Sequence, residues 1–313
     1  MTASPIGQVI EIVQDGRHLA KDRGFLTVNE RGLEVGRVPL DDIVTVIATS
    51  PATTVTCALL SELAERGVPF VLCGRNHVPT GLLWPVAGHH AQQRRMEAQM
   101  NASQALRDTL WRLLVAAKIR AQATVLDRNG QGGGPLHRMA RTVTAGDPEN
   151  REAQAARRYW PLLMGPDFRR DIEADGINAL LNYGYAVLRA ATARAIAGAG
   201  LHPGIGIFHR HPHNPMPLAD DLMEPFRPLV DHAVLTLAHG GIGEVTPDAK
   251  RSLVAMLLLE LPTAAGRSPV TTCLVRLAAS LADSFMTGHA SLELPAHPTA
   301  GDPERPDDDA LSG

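Results

Sequence analysis

"MNASQALRDTLWRLLVAAKIRAQATVL", residues 100–126, decides how the chain divides. Its apolar residues recur three and four apart, no glycine or proline interrupts it, and the loop "NGQGGGP" follows soon after. That pattern predicts a long amphipathic helix. Downstream, helices are predicted from Glu152 to Tyr159 and through "INALLNYGYAVLRAATARAIAGAG". Two later ones begin at Thr246-Pro247 and Ser268-Pro269, a capping residue followed by proline at the first helical position. Upstream the texture differs. "GQVIEIV", "GFLTVNE" and "DDIVTVIATS" join β-branched residues to turns such as "DGR" and "NERG", which predicts strands. One helix, Thr54 to Arg66, is closed by Gly67, and "VPFVLC" reads as the next strand.

The expected fold class is therefore α+β, a small N-terminal β-rich domain followed by a larger all-α domain. The boundaries fall at 1–86 and 87–290. Residues 291–313 hold six acids and one base, with little that could form a core, and are expected to be a disordered acidic tail.

Charge sharpens this division. The whole chain carries 30 Lys and Arg against 33 Asp and Glu, a formal charge of −3, which argues against a uniformly basic nucleic-acid binder. Residues 89–170, however, hold 14 bases against seven acids, a local +7 compatible with a polyanionic partner. The plainer explanation, the solvated faces of ordinary helices, competes with it. Arg94 and Arg95 are adjacent candidates for phosphate contact. The three cysteines, Cys57, Cys73 and Cys273, form no CxxC pair. No signal peptide is apparent, and the longest apolar run, Leu253–Leu259, is too short to span a bilayer. A cytoplasmic protein without membrane association is expected.

The chemistry concentrates in "FHRHPHNPMPLADDLMEPFR", residues 208–227. Imidazoles and carboxylates are the common ligands of divalent metals. Asp221 and Glu224 are three apart, which places both on one face of a helical turn. His209, His211 and His213 precede them in a proline-broken segment, and His209 follows the apolar run "GIGIF", so it can be held at a structured end. Taken singly, each histidine is better explained as a surface-loop residue. Taken with the acids, the group reads as a site. In "GDPENREAQAARRYW", Glu152 shares a helix face with Ala155, Ala156 and Tyr159. A carboxylate on a packing face needs a partner, either a metal or one of Arg151, Arg157 and Arg158.

Four blocks, "GDPENREAQAARRYW", "INALLNYGYAVLRA", "GLHPGIGIFHR" and "LADDLMEPFRPLVD", occur in an order and at separations that resemble one family. It is the CRISPR-associated endonuclease that forms the catalytic subunit of the spacer-acquisition integrase. "DDLMEPFRPLVD" resembles the branch that accompanies type II systems. "GVPFVLCGRNHVPTGLL" and "KIRAQATVL" extend the likeness over most of the chain.

The resemblance implies a homodimer formed largely through the β domains and a helical catalytic domain. It implies metal ligands at Glu152, His209 and Glu224, with Asp221 as a further acid in the same pocket. His211 and His213 stand where the family pattern has no histidine, so no role is carried onto them. The implied cofactor is Mg2+ or Mn2+, since hard carboxylates suit both and one imidazole shifts the preference towards manganese. The implied partners are double-stranded DNA (spacer precursor and CRISPR repeat) and a small companion CRISPR-associated adaptation protein. The implied activity is strand transfer, a 3′-hydroxyl attacking a phosphodiester, or hydrolysis when water attacks.

Two rivals remain on sequence grounds. A metal-dependent hydrolase of a small substrate would account for the His-x-His spacing but predicts a β/α barrel, against the helical second half. A catalytically silent DNA-binding scaffold would have no need of Glu152, His209 and Glu224 together.

Overall fold

Strand β1 (Gln8–Ile12) opens the part of the chain that the computed structural model describes, namely residues 8–74, 79–83, 90–211, 213–264 and 266–296. Strands β2 (Arg17–Asp22), β3 (Phe25–Glu30) and β4 (Leu33–Pro39) form an antiparallel meander. Its turns are tight because Asp22 pairs with Phe25 and Glu30 with Leu33, leaving two residues in each loop. Arg23-Gly24 and Arg31-Gly32 both have positive φ, the backbone that matches the right-handed twist of the flanking strands.

Strands β5 (Ile43–Ala48) and β6 (Thr54–Val55), helix α1 (Cys57–Glu65) and strands β7 (Phe70–Cys73) and β8 (Pro79–Leu83) complete this part. Thr54 does not begin the helix as expected. With Val55 it pairs alongside β2, and Thr56 caps α1 by accepting from Leu59 N. The sheet order is β1-β5-β7-β8, with β5 parallel to both β1 and β7. Parallel strands are stable when covered on both faces. Alternation along β5 and β7 achieves this. Val46, Ala48 and Phe70 face a small core with Leu59 and Leu63 of α1, while Ile47 and Val71 join the core of the helical part. The expected boundary at residue 86 lies outside the described residues.

The helical part contains α2 (Gln92–Met100), α3 (Gln104–Arg128), α4 (Gly134–Ala140), α5 (Arg151–Met164) and α6 (Ile177–Gly198). It continues with α7 (Pro217–Met223), α8 (Arg227–His239), α9 (Pro247–Ala255) and α10 (Val270–Thr287). The stretch 100–126 differs from its expectation in two ways. It breaks after Met100, where Ser103 caps a new helix by accepting from Leu106 N. From Leu114 to Leu126, moreover, α3 is buried on nearly every side, so it forms the centre of the bundle and has no single apolar face. The α6–α8 crossing is close because Gly184 lacks a side chain: a Cβ there would lie 2.4 Å from Val230 Cγ1.

Two further expectations are corrected. The helical part carries a hairpin, β9 (Glu260–Thr263) with β10 (Gly266–Pro269). Ser268 belongs to its ladder, paired with Leu261, and so cannot cap α10. The first residues of the expected tail, although without helix or strand, are held against the body. Ser291 N donates to Ser284 Oγ at 3.0 Å, Glu293 N to Ser280 Oγ at 2.9 Å and Ala296 N to Pro262 O at 3.0 Å. Leu292 and Leu294 pack on the helical core, so residues 291–296 dock along α10, while 297–313 lie outside the described residues.

Candidate metal centre

Glu152 stands in the first turn of α5. Asn150 caps that helix by accepting from Ala153 N, and the Asp147 carboxylate accepts from Arg151 N at 2.8 Å and Glu152 N at 3.0 Å. The helix N-terminus favours an ionised carboxylate at Glu152. Its partner is none of the neighbouring arginines. Arg157 and Arg158 are exposed, Arg151 pairs with Glu149, and Glu152 Oε1 lies 2.6 Å from Lys118 Nζ.

Glu224 follows α7 in a short 3-10 turn with Pro225 and Phe226, and it is only 3% exposed. Its Oε1 lies 3.1 Å from Arg227 Nε and its Oε2 lies 2.5 Å from the same Lys118 Nζ. Burial would raise this carboxyl's pKa, but Arg227 and Lys118 outweigh it and hold it below its ordinary value. The Glu224 Oε2 contact is a buried ion pair with the Lys118 ammonium. Lys118 of α3 thus pairs with two acids from different elements, Glu152 of α5 and Glu224 of the turn after α7.

His209 is fixed by Asp221. Its Nδ1 lies 2.6 Å from Asp221 Oδ1, and the same carboxylate accepts from the backbone N–H groups of Ile207, Phe208 and His209 at 2.6, 3.0 and 3.2 Å. The hydrogen bond to Asp221 raises the imidazole pKa above its usual range. Burial opposes the rise, while the charges of Asp221, Glu224 and Glu152 add to it. The chain wraps tightly around Asp221 because residue 206 is glycine: a Cβ there would lie 2.5 Å from His209 O and 3.0 Å from Asp221 Oδ2. On the other side, Trp111 of α3 meets the His209 ring edge-on at 5.4 Å and stacks on Phe208 at 4.4 Å. With Nδ1 engaged, Nε2 is the nitrogen left to act as a ligand.

These placements revise the expectation for Asp221. It is fully buried and its oxygens are taken up by three N–H groups and an imidazole, so it orients His209 and does not line the pocket. His211 and His213 are exposed and lie against one another, ring centroids 5.5 Å apart. A cavity of about 540 Å3 opens beside His209, bordered by Arg107, Gly206, Arg210 and Asn214.

Arg95 is also revised. It donates to Ala199 O at 2.9 Å and pairs with Asp283 at 3.5 Å, tying α2 to the end of α6 and to α10. Arg94 is exposed.

Among the described residues, no three ligand-type side chains stand close enough to hold an ion in the arrangement seen, and an ammonium pairs with both carboxylates. The donor chemistry nevertheless fits a hard divalent cation. Two carboxylates converge on one positive charge, and the electrostatic influence of both reaches the His209 ring.

The family model described as CRISPR associated protein Cas1 matches residues 10–250. The CRISPR-associated endonuclease Cas1 of Neisseria meningitidis serogroup C is 40% identical over 250 residues, which is 79% of this chain and 82% of that protein. The chain belongs to the Cas1 family. Among solved structures, a casposase bound to integration product superposes with a TM-score of 0.79 at 20% identity, covering 97% of this chain and 98% of that one. A Cas6-RT-Cas1–Cas2 complex gives 0.72 at 19% identity, covering 94% of this chain and 37% of that one. At such identities these two likenesses establish the fold, an N-terminal strand-rich part before a helical one.

Within this Cas1 chain, sequence reasoning missed Lys118, Arg227, Trp111 and Asp147. Lys118 did leave a signal. It is one of only three lysines, with Lys21 and Lys250, and it interrupts the apolar stretch "LLVAAKI" at the bundle centre. Arg227 completes a buried network. Its guanidinium lies 4.9 Å from the centre of the Tyr185 ring, and the hydroxyls of Tyr185 and Tyr159 both donate to Asp231.

Proposed function

We propose that this Cas1 family member is a divalent-metal-dependent DNA endonuclease and strand-transfer integrase that inserts new spacer DNA into a CRISPR array. One observation carries the reading: the Glu152 and Glu224 carboxylates converge on a single positive charge beside a histidine whose Nδ1 is already occupied. Glu152 and Glu224 would hold Mg2+ or Mn2+ with His209 Nε2. When bound, the ion neutralises charge on a non-bridging phosphate oxygen and activates the attacking oxygen.

The chain's own residues do the rest. Asp221 keeps the His209 lone pair directed at the site, Arg227 keeps Glu224 ionised and Asp147 fixes the turn that presents Glu152. Exposed arginines of α2, α3 and α5, namely Arg94, Arg120, Arg157 and Arg158, would contact phosphates without reading sequence. The described residues contain no helix long and apolar enough to cross a membrane.

Two partners belong to the same reading. A homodimer through the β-rich part is supported by Leu33 and Val35, which are 73% and 51% exposed on the edge strand β4. A small companion adaptation protein is supported by the likeness to a structure that contains Cas1 with Cas2. The test is strand transfer of a duplex with free 3′-hydroxyls into a repeat-containing plasmid, with Mn2+, Mg2+ or a chelator. Transfer with either ion and none with the chelator is expected. Transfer that survives the chelator would refute the reading.

A further inference from the structure

Among the described residues, Lys118 is the one basic group that pairs with two of the three proposed ligands, and it does so from α3, buried over most of its length at the centre of the bundle. Its Nζ lies 2.6 Å from Glu152 Oε1 and 2.5 Å from Glu224 Oε2, with its side chain 12% exposed. The residue type is itself informative. Of the 30 basic residues 27 are arginine, yet this position carries lysine. A guanidinium is a broad planar fork, whereas an ammonium is a compact point charge on a flexible stem, close to a small cation in how it meets oxygen. Each carboxylate meets it with one oxygen, as it could meet an ion.

We propose that Lys118 is a resident stand-in for the metal: its ammonium holds Glu152 and Glu224 together in the ion-free protein, and a divalent cation must displace it. The inference rests on the reading of Glu152, His209 and Glu224 as ligands. An ammonium and a divalent ion cannot share the space between the two carboxylates, because like charges a few ångströms apart repel strongly in a buried site. Without the ammonium, half-buried Glu152 would lose its partner and buried Glu224 would keep only Arg227, which would be costly. The same arrangement weakens ion binding, since entry of the cation must expel a charge that is already paired. Lys118 is thus a positioning residue that sets the affinity of the site.

Two measurements on the full chain test this. In the first, Mn2+ binding is followed by electron paramagnetic resonance for wild type, Lys118→Met and Glu152→Gln. Lys118→Met should bind Mn2+ about tenfold or more tightly, as expected for removal of a unit charge about 4 Å from the ion. Its melting temperature without metal should be lower than wild type and recover on adding Mn2+. In the second, wild-type lysines are acylated and mapped by mass spectrometry with and without Mn2+, which needs no variant to fold. Labelling of Lys118 should rise when Mn2+ is present, while that of Lys21 stays constant. A purely structural lysine would show no such change. If Mn2+ binds and requires Glu152, yet Lys118 labelling does not rise or Lys118→Met binds no more tightly, the stand-in inference is overturned and the ligand assignment survives. If Mn2+ does not bind, or binds equally to Glu152→Gln, the ligand assignment itself fails and the inference fails with it.

Discussion

Asp221 grips His209 twice, through Nδ1 at 2.6 Å and through the backbone N–H at 3.2 Å, although the two lie twelve residues apart. The same carboxylate satisfies the N–H groups of Ile207 and Phe208. Asp221→Ala should therefore act on the fold and the site together. Three backbone donors would lose their acceptor, one of them buried and two partly buried, at a cost of up to about 1–3 kcal/mol each. Chemical denaturation should show a loss of several kcal/mol. His209→Ala leaves Asp221 with its three backbone donors and should destabilise much less. Equal losses for the two would mean that the imidazole, and not the carboxylate, holds the loop.

Asp231 supplies a pH dependence. Burial pushes this carboxyl up from 3.8 to about 6, against the hydrogen bonds from Tyr185 and Tyr159 and the charges of Arg227 and Lys118. A carboxyl raised on folding favours the folded state while protonated. That contribution is full below pH 3.8 and is lost as pH rises through about 6. The change is on the order of 3 kcal/mol. Asp231→Asn cannot ionise, so its stability relative to wild type should improve between pH 4 and pH 7 by about that amount. A constant difference across that range would contradict the assignment.

The end of the described chain gives a truncation test. Leu292 and Leu294 pack on the helical core, and the backbone of this segment donates to Ser284, Ser280 and Pro262. Removing residues 291–313 should lower the melting temperature by several degrees, for roughly 1–2 kcal/mol of lost apolar burial and hydrogen bonding. Removing 297–313 leaves those contacts intact and should cost little. The comparison of the two melting temperatures isolates residues 291–296.

What could be read in advance followed from local rules. Alternating β-branched residues revealed the strands, and Thr246-Pro247 gave a cap that the structure contains. Ser268-Pro269 has the same local form, but the hairpin paired Ser268 with Leu261, a long-range choice that the dipeptide does not encode. Burial of α3 on all sides likewise depends on how many neighbours surround it. At the site, Glu152, His209 and Glu224 were named from motif resemblance, and their proximity needed the fold. Sequence places Asp221 beside them because helical spacing cannot distinguish a carboxylate that faces a pocket from one that binds the preceding loop. Lys118 lies 34 residues from Glu152 and 106 from Glu224, so no local pattern joins the three.

Phosphate contact can be separated from structure among the arginines. Arg157 and Arg158 are exposed on α5, one to two turns beyond Glu152, whereas Arg95 is tied to Ala199 and Asp283. Duplex affinity should fall by about 0.9 log units per log unit of salt for each phosphate neutralised. Arg157→Ala with Arg158→Ala should flatten that slope by about 1–2 units without lowering the melting temperature. Arg95→Ala should do the reverse. An unchanged slope in the double variant would place the DNA track on another face.

The central claim is that Glu152, His209 and Glu224 act as one metal-holding unit, and the most direct measurement is the strand-transfer rate of single and double substitutions at saturating Mn2+. Glu152→Gln, His209→Ala and Glu224→Gln should each reduce transfer by several orders of magnitude. Glu152→Gln combined with Glu224→Gln should be scarcely worse than either alone, because residues that serve one ion do not lose activity additively. Losses that multiply in the double variant, or a single substitution that leaves transfer near wild type, would contradict the claim.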